Sequence, residues 1–399
     1  MKKRICLITP GHLASNPRLV KEATALQQTG LDIHIIFSQY VRYLIGHDQR
    51  ILESNPAWTY EFLDWTGSSL GSRMIRYCSA VMQKLTNRPE SKINRNFRWQ
   101  LKKAVRCRAD LYIGHNLAAL PVAVLAAKKN GVKSGFDAED FHRHQITDDM
   151  NDERVKLAIR IEKKYIPQLD YLTAAGDAIA EKYRALFKMD VLSICNVFPK
   201  RIQTVIPKHT TSPLKIFWFS QMIGPRRGLE EAILGIGLSE ARIELHLLGE
   251  IRPPYKDSLH HMVVTHAGNC SLHFHPTMFP DDIFQFGEQF DIGLASEPGF
   301  SMNNKLALSN KLYTYLQCGL ALAVSHTIAQ TNFMKQFPQA GNLYKTRAEL
   351  ADILRRYDAD RDLLFETRKA SAELGQRTLN WENESQKFVK MIQSVLNLE

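Results

Sequence analysis

Residues 303–325 read NNKLALSNKLYTYLQCGLALAVS and give the clearest structural signal in the chain. They predict an irregular loop, then a helix that begins at Ser309 and ends at Gly319, then a buried strand over Ala321–Ser325. A lysine in the first helical turn opposes the helix dipole, which favours anions at that end. Lys311 is therefore either a surface lysine or part of a phosphate cradle that the helix N–H groups complete.

The same alternation of short apolar runs and helical periods extends over the rest of the chain. It predicts parallel sheets covered by helices on both faces, which defines the α/β class. The proline-rich stretch 199–213 interrupts the series and predicts a linker between two doubly wound domains that face each other across a cleft. The predicted domains cover 1–198 and 214–380, and a C-terminal helix over 381–399 is predicted to pack back on the first domain.

Length and composition indicate a two-domain globular protein. The chain has 399 residues, of which 44% are hydrophobic and 23% charged, and it contains no apolar run long enough to span a membrane. Its six cysteines are scattered without a CxxC pair, which argues against a zinc site or disulfides and favours the cytoplasm. The histidine pairs at 260–261 and 273/275 have no further ligand at metal-binding spacing, so no metal is predicted.

The positive charge is concentrated in residues 73–108. This stretch holds eleven lysines and arginines against one acid, Glu90, within a chain of net charge +11. Apolar residues are interleaved with the basic ones, which predicts contact with an anionic membrane surface or an acidic acceptor. The alternative is the solvated basic face of a helical pair. No nucleic-acid-binding motif is present, so no nucleic-acid partner is predicted.

Two loops follow predicted strands of the first domain, at the edge where such sheets bind ligands. In the first, a glycine lets the backbone approach a ligand, although the loop is not a GxGxxG motif and can equally be a turn that caps the next helix. In the second, a histidine and an asparagine end a strand, and the alternative is a buried histidine bonded to backbone. The candidate residues are Gly11, His12, Asn16, Arg18, His115 and Asn116.

Two further loops carry charge. Asp137, Glu139 and Asp140 stand at a strand end, where they can act as a general base, bind hydroxyls or cap a helix. Arg226 and Arg227 lie in a Gly/Pro loop before a helix, which suits bidentate contacts to a diphosphate. The alternative for the arginine loop is an exposed basic turn.

Five segments in this order resemble the retaining glycosyltransferases of family four, which have the GT-B fold with two Rossmann-like domains. The resemblance covers nearly the whole chain. The segments are TPGHLASNPRLVKEATALQQTG, ADLYIGHNLAALPVA, FDAEDFH, SQMIGPRRGLEEAI and SNKLYTYLQCGLALAVS.

The resemblance implies a UDP- or GDP-linked sugar as donor, with no cofactor and no active-site metal. The growing charge of the leaving diphosphate would be met by arginine, lysine and helix N–H groups. The implied roles are catalysis by His115 and Glu139; diphosphate binding by Gly11, Arg226, Arg227, Asn310 and Lys311; nucleotide or sugar binding by Gln221, Glu297 and Thr314; and acceptor binding by His12, Asn16, Arg18 and Asn116.

We therefore expect a metal-independent glycosyltransferase that moves a sugar to a glycan or lipid-linked acceptor in cell-surface polysaccharide synthesis. It would work in the cytoplasm, with residues 73–108 on the inner membrane face. Two alternatives follow from the residues. The carboxylates of Asp137–Asp140 suit a sugar-nucleotide epimerase. Gln221, Leu306 and Thr314 stand where the family has charged residues, which suits a non-catalytic scaffold subunit.

Overall fold

A computed structural model describes residues 2–67, 70–85, 87–201, 206 and 213–398. The chain divides into two compact units, which we call the N-terminal unit (Met1–Cys195 with Ser385–Glu399) and the C-terminal unit (Asn196–Glu384). Most of the predicted linker, 199–213, lies outside the described residues. Within the described ranges, none of the helices combines the length and apolar character needed to cross a bilayer.

The N-terminal unit is built on a seven-stranded parallel sheet in the order β3-β2-β1-β4-β5-β6-β7. Its strands are β1 (Arg4–Ile8), β2 (Asp32–Gln39), β3 (Thr59–Asp64), β4 (Leu111–His115), β5 (Lys133–Ala138), β6 (Tyr171–Ala174) and β7 (Val191–Ser193). Its helices are α1 (Pro17–Gln28), α2 (Arg42–Glu53), α3 (Leu70–Leu85), α4 (Pro89–Ile93), α5 (Phe97–Cys107), α6 (Leu120–Asn130), α7 (Glu153–Tyr165) and α8 (Asp177–Phe187).

The centre of this sheet explains its sequence. Ile5, Leu7 and Ile8 of β1 are fully buried, because helices cover both faces of a parallel sheet and each side chain meets a packed layer. A continuous apolar run is the result. β3 is an edge strand with exposed side chains on much of its length, so its mixed sequence did not predict a strand.

The C-terminal unit repeats the plan with a six-stranded parallel sheet in the order β10-β9-β8-β11-β12-β13. Its strands are β8 (Leu214–Ile223), β9 (Ile243–Ile251), β10 (Cys270–His275), β11 (Ile292–Ala295), β12 (Ala321–Ser325) and β13 (Gly341–Tyr344). Its helices are α9 (Leu229–Ser239), α10 (Pro253–His266), α11 (Pro280–Gly287), α12 (Met302–Leu306), α13 (Asn310–Cys318), α14 (Ile328–Gln336), α15 (Arg347–Ala359), α16 (Arg361–Arg377) and α17 (Trp381–Leu396), whose residues from Ser385 onward belong to the N-terminal unit.

The stretch 303–325 folds largely as predicted. Ser309 precedes α13, and Gly319 ends it with a φ of 64°, in the left-handed region that favours glycine. Strand β12 has the predicted bounds. The predicted irregular loop instead contains the short helix α12, capped by the Ser301 hydroxyl, which accepts a hydrogen bond from the Asn304 N–H.

Each sheet reverses its strand order once, between β1 and β4 in the N-terminal unit and between β8 and β11 in the C-terminal unit. This is the order of the Rossmann fold, so the predicted class of two doubly wound α/β domains is confirmed. At such a reversal, the loops after the two neighbouring strands run in opposite directions and leave a crevice. Ligands of open α/β sheets bind there, which directs attention to the loops after β1, β4, β8 and β11.

Candidate functional site

Three charged residues meet where the strand order of the C-terminal unit reverses. We call Arg227, Glu297 and Lys311 the C-terminal cluster. Arg227 lies in the loop after β8, Glu297 two residues after β11, and Lys311 in the first turn of α13. Lys311 Nζ donates a hydrogen bond to Glu297 Oε1 at 2.7 Å and lies 5.3 Å from the ring centroid of Trp218.

Lys311 is buried, with 8% of its surface exposed, so the interpretation as a surface lysine is wrong. A buried ammonium needs a counter-charge, and Glu297 supplies it. Burial acts to raise the pKa of Glu297, but Lys311, the Ser309 hydroxyl and Arg227 hold that pKa below its ordinary value. Glu297 is therefore ionised at neutral pH and fixes the ammonium at the start of α13.

The loop that carries the arginines is held against the end of β11. Gly228 has a φ of 75°, and a Cβ on it would stand 1.9 Å from the Ser296 carbonyl oxygen, so only glycine fits. The Ser296 hydroxyl donates to the Arg227 carbonyl oxygen at 2.8 Å. Arg226 has a φ of 62°, in the left-handed region, and its guanidinium lies 5.6 Å from the Phe300 ring centroid.

The C-terminal cluster is suited to an anion. Arg226 and Arg227 are exposed, and together with Lys311 they outweigh the single charge of Glu297. The Ser309 side chain does not cap α13, so its hydroxyl leaves the first N–H groups of the helix to another acceptor. Exposed arginines, a fixed ammonium and a helix N-terminus are the groups that bind phosphate.

The other predicted donor residues differ in their exposure to solvent. Gln221 lies within β8, at a register shift in its pairing with β9, and not in a loop as predicted; its side chain is exposed. Thr314 is 3% exposed and its hydroxyl donates to the Asn310 carbonyl oxygen at 3.2 Å, which disagrees with the predicted ligand contact. Asn310 is exposed, and its Oδ1 accepts from Asn196 Nδ2 at 3.1 Å.

The N-terminal unit contains a buried charge network of Arg18, Glu22, His115, Asp137 and Glu139. Arg18 makes a bidentate contact to the Asp137 carboxylate and donates to the Ile194 carbonyl oxygen at 2.6 Å. His115 Nε2 lies 3.3 Å from Glu22 Oε2, and His115 Nδ1 lies 3.3 Å from Glu139 Oε1. The network ties α1, β4 and β5 together at the carboxyl ends of the two strands.

Electrostatics fixes the protonation of this network. Burial alone would lower the pKa of His115, but Glu22, Glu139 and Asp137 raise it to about 10, so the imidazole is positively charged at neutral pH. Burial also opposes ionisation of Asp137, yet Arg18 and His115 hold the pKa of Asp137 low. The cations Arg18 and His115 thus lie between the carboxylates that they compensate.

Glu22, His115 and Asp137 bring ligand atoms within 4.8 Å of one another, close enough to surround a metal ion. Each of these groups already has a partner within the network, since Glu22 Oε2 and Asp137 Oδ2 lie 3.3 and 3.6 Å from the two ring nitrogens of His115. The guanidinium of Arg18 occupies the side of Asp137 that a cation would need. The network is therefore better described as a set of internal ion pairs.

The predicted catalytic and acceptor residues of this unit are mostly inside it. His115 is fully buried, so it cannot itself touch a substrate, whereas 21% of the Glu139 side chain is exposed. Arg18 is 2% exposed and committed to Asp137, which disagrees with its predicted acceptor contact. Glu22 was missed by the sequence analysis; its spacing of four residues from Arg18, on a helix face with Leu19, was the available signal.

His12 and Asn16 shape the loop after β1. His12 is fully buried, its Nδ1 contacts Asp48 Oδ2 at 2.6 Å, and its Nε2 accepts from the Tyr40 and Val41 N–H groups at 2.8 Å. Asn16 caps α1 by accepting from the Leu19 N–H at 3.0 Å. Their predicted acceptor contacts disagree with this geometry, because both side chains hold the loop itself.

The carboxyl ends of β1, β2 and β4 open into a cavity of about 880 Å³, which we call the N-terminal pocket. Gly11 and Asn116 line it, on the two sides of the strand reversal. The Gly11 position is close to the Tyr40 hydroxyl, which a Cβ would approach to 3.0 Å. Asn116 has a φ of 67°, a left-handed conformation that asparagine tolerates better than most residues.

No family model matches the sequence, and no curated protein matches it. Solved structures show the fold. HepE of Anabaena in complex with UDP has a TM-score of 0.69 at 13% identity, covering 98% of this chain and 100% of its own. A glycosyltransferase from Rickettsia africae has a TM-score of 0.69 at 10% identity, covering 100% of both chains. The pneumococcal O-GlcNAc transferase GtfA, in complex with UDP and GlcNAc, has a TM-score of 0.67 at 10% identity and covers 99% of each chain. The chain has the GT-B fold of these proteins.

The charge of His115 gives a pH-dependent prediction. Its folded pKa of about 10 lies above the ordinary value of 6.5, so its stabilising effect is complete below 6.5 and is lost as pH rises through 10. We expect the stability difference between wild type and His115→Gln to narrow over this range, by at most about 1.4 kcal/mol per pH unit. Urea unfolding at pH 7, 8 and 9 measures it.

Two points make this measurement specific. Burial and then Arg18 lower the pKa of Lys21 to about 7, so Lys21 titrates in the same range with the opposite sign and must be common to both proteins. The exposed His261, changed to Gln, serves as the matched control and should show no narrowing. A wild-type advantage over His115→Gln that stays constant with pH would contradict the assignment.

Proposed function

We propose that the protein is a glycosyltransferase that moves a sugar from a UDP- or GDP-linked donor to a glycan or lipid-linked acceptor. The position of the C-terminal cluster carries this proposal. Arg227 and Glu297 follow the two strands between which the sheet order reverses, and Lys311 begins the helix beside them. Cations at this crevice suit a nucleoside diphosphate, and solved structures of the same fold contain UDP.

The chemistry follows from where charge develops. When the bond between the sugar and the diphosphate breaks, negative charge grows on the leaving oxygen. Arg227, Lys311 and the N–H groups of α13 would receive it, and they need no reorganisation because Glu297 already holds Lys311 in place. Arg226, Arg227 and Lys311 together exceed the single negative charge of Glu297, and this net positive charge supports metal independence as part of the proposal.

Roles in the N-terminal unit are assigned by exposure. Glu139 has the exposed carboxylate of the charge network, so we assign it the contact with the reacting sugar. His115 acts through it as a positioning residue. Gly11 and Asn116 line the N-terminal pocket, which would seat the acceptor. Retention of the anomeric configuration, a hexosyl donor and a role in cell-surface polysaccharide synthesis extend the proposal on the strength of the motif resemblance.

A non-catalytic subunit is the second candidate. Leu306 is 2% exposed, and the Thr314 hydroxyl is bonded within its own helix. These are the two positions at which the resemblance leads us to expect carboxylates that bind the donor. The epimerase alternative rested on the carboxylates 137–140, of which Asp137 is committed to Arg18, whereas Glu139 and Asp140, which accepts a hydrogen bond from Gln145 Nε2 at 2.7 Å, stay partly exposed.

The basic stretch 73–108 supports a membrane-facing surface. Its two longer helices, α3 and α5, differ in how far their apolar side chains are exposed. In α5, Phe97 and Ala104 are buried in the core, so its apolar residues are accounted for by folding. In α3, Met74 and Tyr77 are 63% and 69% exposed beside the exposed Arg73. The proposal therefore includes attachment through α3 to anionic lipid at the cytoplasmic membrane face.

The one acid of this stretch does not weaken its charge towards a membrane. Glu90 is buried and faces α7, where it accepts hydrogen bonds from Lys164 at 2.6 Å and from the Tyr165 hydroxyl. Burial acts to raise its pKa, but these two hydrogen bonds hold the pKa of Glu90 below its ordinary value. The outward surface of the stretch is thus left basic.

Arg227→Ala should weaken UDP binding about 10- to 100-fold, because a charge-assisted hydrogen bond contributes about 1.5–3 kcal/mol. Lys311→Met should act similarly if Glu297 is changed to Gln with it, so that no buried charge is left unpaired. Isothermal titration calorimetry with UDP and GDP measures both. Arg242→Ala, an exposed arginine at the opposite end of the same sheet, is the control. Unchanged affinity in Arg227→Ala would refute the diphosphate assignment.

Slow hydrolysis of a nucleotide sugar separates the two candidate functions. An active transferase should release UDP or GDP from its donor in the absence of acceptor, since water replaces the acceptor hydroxyl. We expect Glu139→Gln to lower this rate at least about 100-fold with little change in UDP affinity, because general-base and nucleophile losses act on the chemical step. Nucleotide binding without any hydrolysis across a panel of UDP- and GDP-sugars would favour the scaffold.

Vesicles test the membrane contact. Binding to phosphatidylglycerol vesicles should exceed binding to phosphatidylcholine vesicles and should fall with salt, since each basic residue near the surface contributes about 1 kcal/mol. Met74→Ser with Tyr77→Ser should reduce it in co-sedimentation. Val264→Ser, which removes an apolar side chain that is 80% exposed in the C-terminal unit, should not. Equal binding to both vesicle types would rule out this attachment.

A further inference from the structure

The charged residues that line the N-terminal pocket are all basic. Among its described residues there are five lysines and arginines and no aspartate or glutamate, in a chain that has 41 acidic residues. A pocket for a neutral glycan usually presents carboxylates and amides to sugar hydroxyls. The basic side chains are Arg76, Lys92, Arg95, Arg143 and Arg154.

Two of these cations are neutralised within the protein. Arg143 Nε donates to the buried Glu162 carboxylate at 2.6 Å. Arg154 pairs with Asp152 at 2.5 Å, an exposed contact between near neighbours in the chain. Both charges are compensated by a carboxylate, so the positive potential of the pocket comes mainly from Arg76, Lys92 and Arg95.

Arg76 and Arg95 are held by neutral acceptors. Arg76 Nη1 donates to the carbonyl oxygens of Trp65 and Gly67 at 2.6 and 2.7 Å. Arg95 Nε donates to Gln83 Oε1 at 2.8 Å. No carboxylate of the described residues pairs with either guanidinium. Each is thus fixed in position with its full positive charge, as a preformed anion site requires.

Gln83 holds Arg95 and connects it to α3, the helix that carries Arg76. It lies seven residues after Arg76, on the same face of α3, and its Nε2 donates to the Lys92 carbonyl oxygen at 2.8 Å. The side-chain amide therefore links α3 to the segment that contains Lys92 and Arg95. Two oriented guanidinium groups with a lysine nearby match a group that carries two or more negative charges better than they match a single carboxylate.

The rest of the lining fits a sugar with an apolar extension. Tyr40 and Trp65 offer aromatic faces, and Asn94, Asn96 and Asn116 offer amides. The lining also contains the apolar residues Ile93, Leu117, Ile146, Val155 and Leu157. A volume of about 880 Å³ exceeds that of one sugar ring and leaves room for a charged substituent.

We propose that the acceptor taken by the N-terminal pocket carries a phosphoryl or diphosphoryl group, bound by Arg76 and Arg95. That this ligand is an acceptor rests on the proposed glycosyltransferase function. The anion site itself is inferred from the geometry of the pocket alone. The phosphoryl group anchors the acceptor at the rim, the sugar lies over the amides and aromatic rings, and its free hydroxyl is presented near Asn116.

Direct binding to the full-length protein tests the proposal, with geranyl diphosphate, inorganic diphosphate and geraniol as probes. The C-terminal cluster also attracts diphosphate, so the quantity to compare is the difference in affinity between wild type and pocket variants, all of which keep that cluster unchanged. We expect the double variant Arg76→Gln/Arg95→Gln to bind geranyl diphosphate about 10- to 100-fold more weakly than wild type. Geraniol, without charge, should show no such difference.

Matched variants isolate the charge effect. Arg98→Gln removes an exposed arginine three residues from Arg95 and outside the pocket lining, so it should bind like wild type. Gln83→Glu keeps both arginines and places a carboxylate against the Arg95 guanidinium, so it should also lose affinity for the diphosphates. This second variant decides the matter if the double variant does not fold, as judged by circular dichroism.

The outcomes are distinct. A loss seen with both diphosphates shows that the phosphoryl group alone is recognised, and a loss seen only with geranyl diphosphate shows that the apolar chain is needed as well, which assigns a lipid-linked acceptor. Equal affinities of wild type, Gln83→Glu and the double variant for both diphosphates would overturn the proposal. UDP affinity should be the same in all of these proteins. If the wild type binds no nucleotide, but the double variant still binds diphosphate more weakly than the wild type, the proposed function is rejected and the phosphoryl site is retained.

Discussion

The ion pair between Lys311 and Glu297 is the interaction on which the arrangement of the C-terminal unit depends most directly. A lysine that is 8% exposed keeps its charge only if an opposite charge stays beside it, and removing one partner of such a pair costs about 3–5 kcal/mol. The pair therefore locks the start of α13 to the end of β11. The Arg227 loop is pressed against the same strand end by Gly228 and Ser296. The ion pair thus sets the position of Lys311, and the contacts of Gly228 and Ser296 set the position of the Arg227 loop.

Buried charges are also compensated in the N-terminal unit, but there they form a closed network. There the charges of Arg18, Glu22, His115 and Asp137 cancel one another inside the protein, and only Glu139 reaches the surface. A network that compensates itself gives rigidity and attracts no ligand. It holds the strand ends that flank the pocket, so the loops that carry Gly11 and Asn116 keep their shape.

The fold was predictable from local pattern, and the site only in part. Strand β12, an apolar run that follows a glycine, was placed with its observed bounds, whereas the edge strand β3 was missed because its side chains are mostly exposed. Arg227 and Lys311 stood out as cations at loop ends. Pairing is different: Glu297 is fourteen residues from Lys311, and Glu22 meets His115 across the fold. No local pattern encodes such contacts, so His12 and Arg18 were assigned to ligands when the fold itself uses them.

Unpaired charge is therefore a better guide to function here than charge itself. The basic stretch 73–108 illustrates the difference: Lys103 pairs with Glu61, while Arg76 and Arg95 are bonded only to neutral oxygens. Folding gains nothing from leaving a fixed guanidinium uncompensated, since a nearby carboxylate would stabilise it. When several such groups line one cavity that contains no acid, the missing counter-charge belongs to a ligand. By this reasoning we propose an anionic ligand for each unit, a nucleoside diphosphate in one and a phosphorylated acceptor in the other.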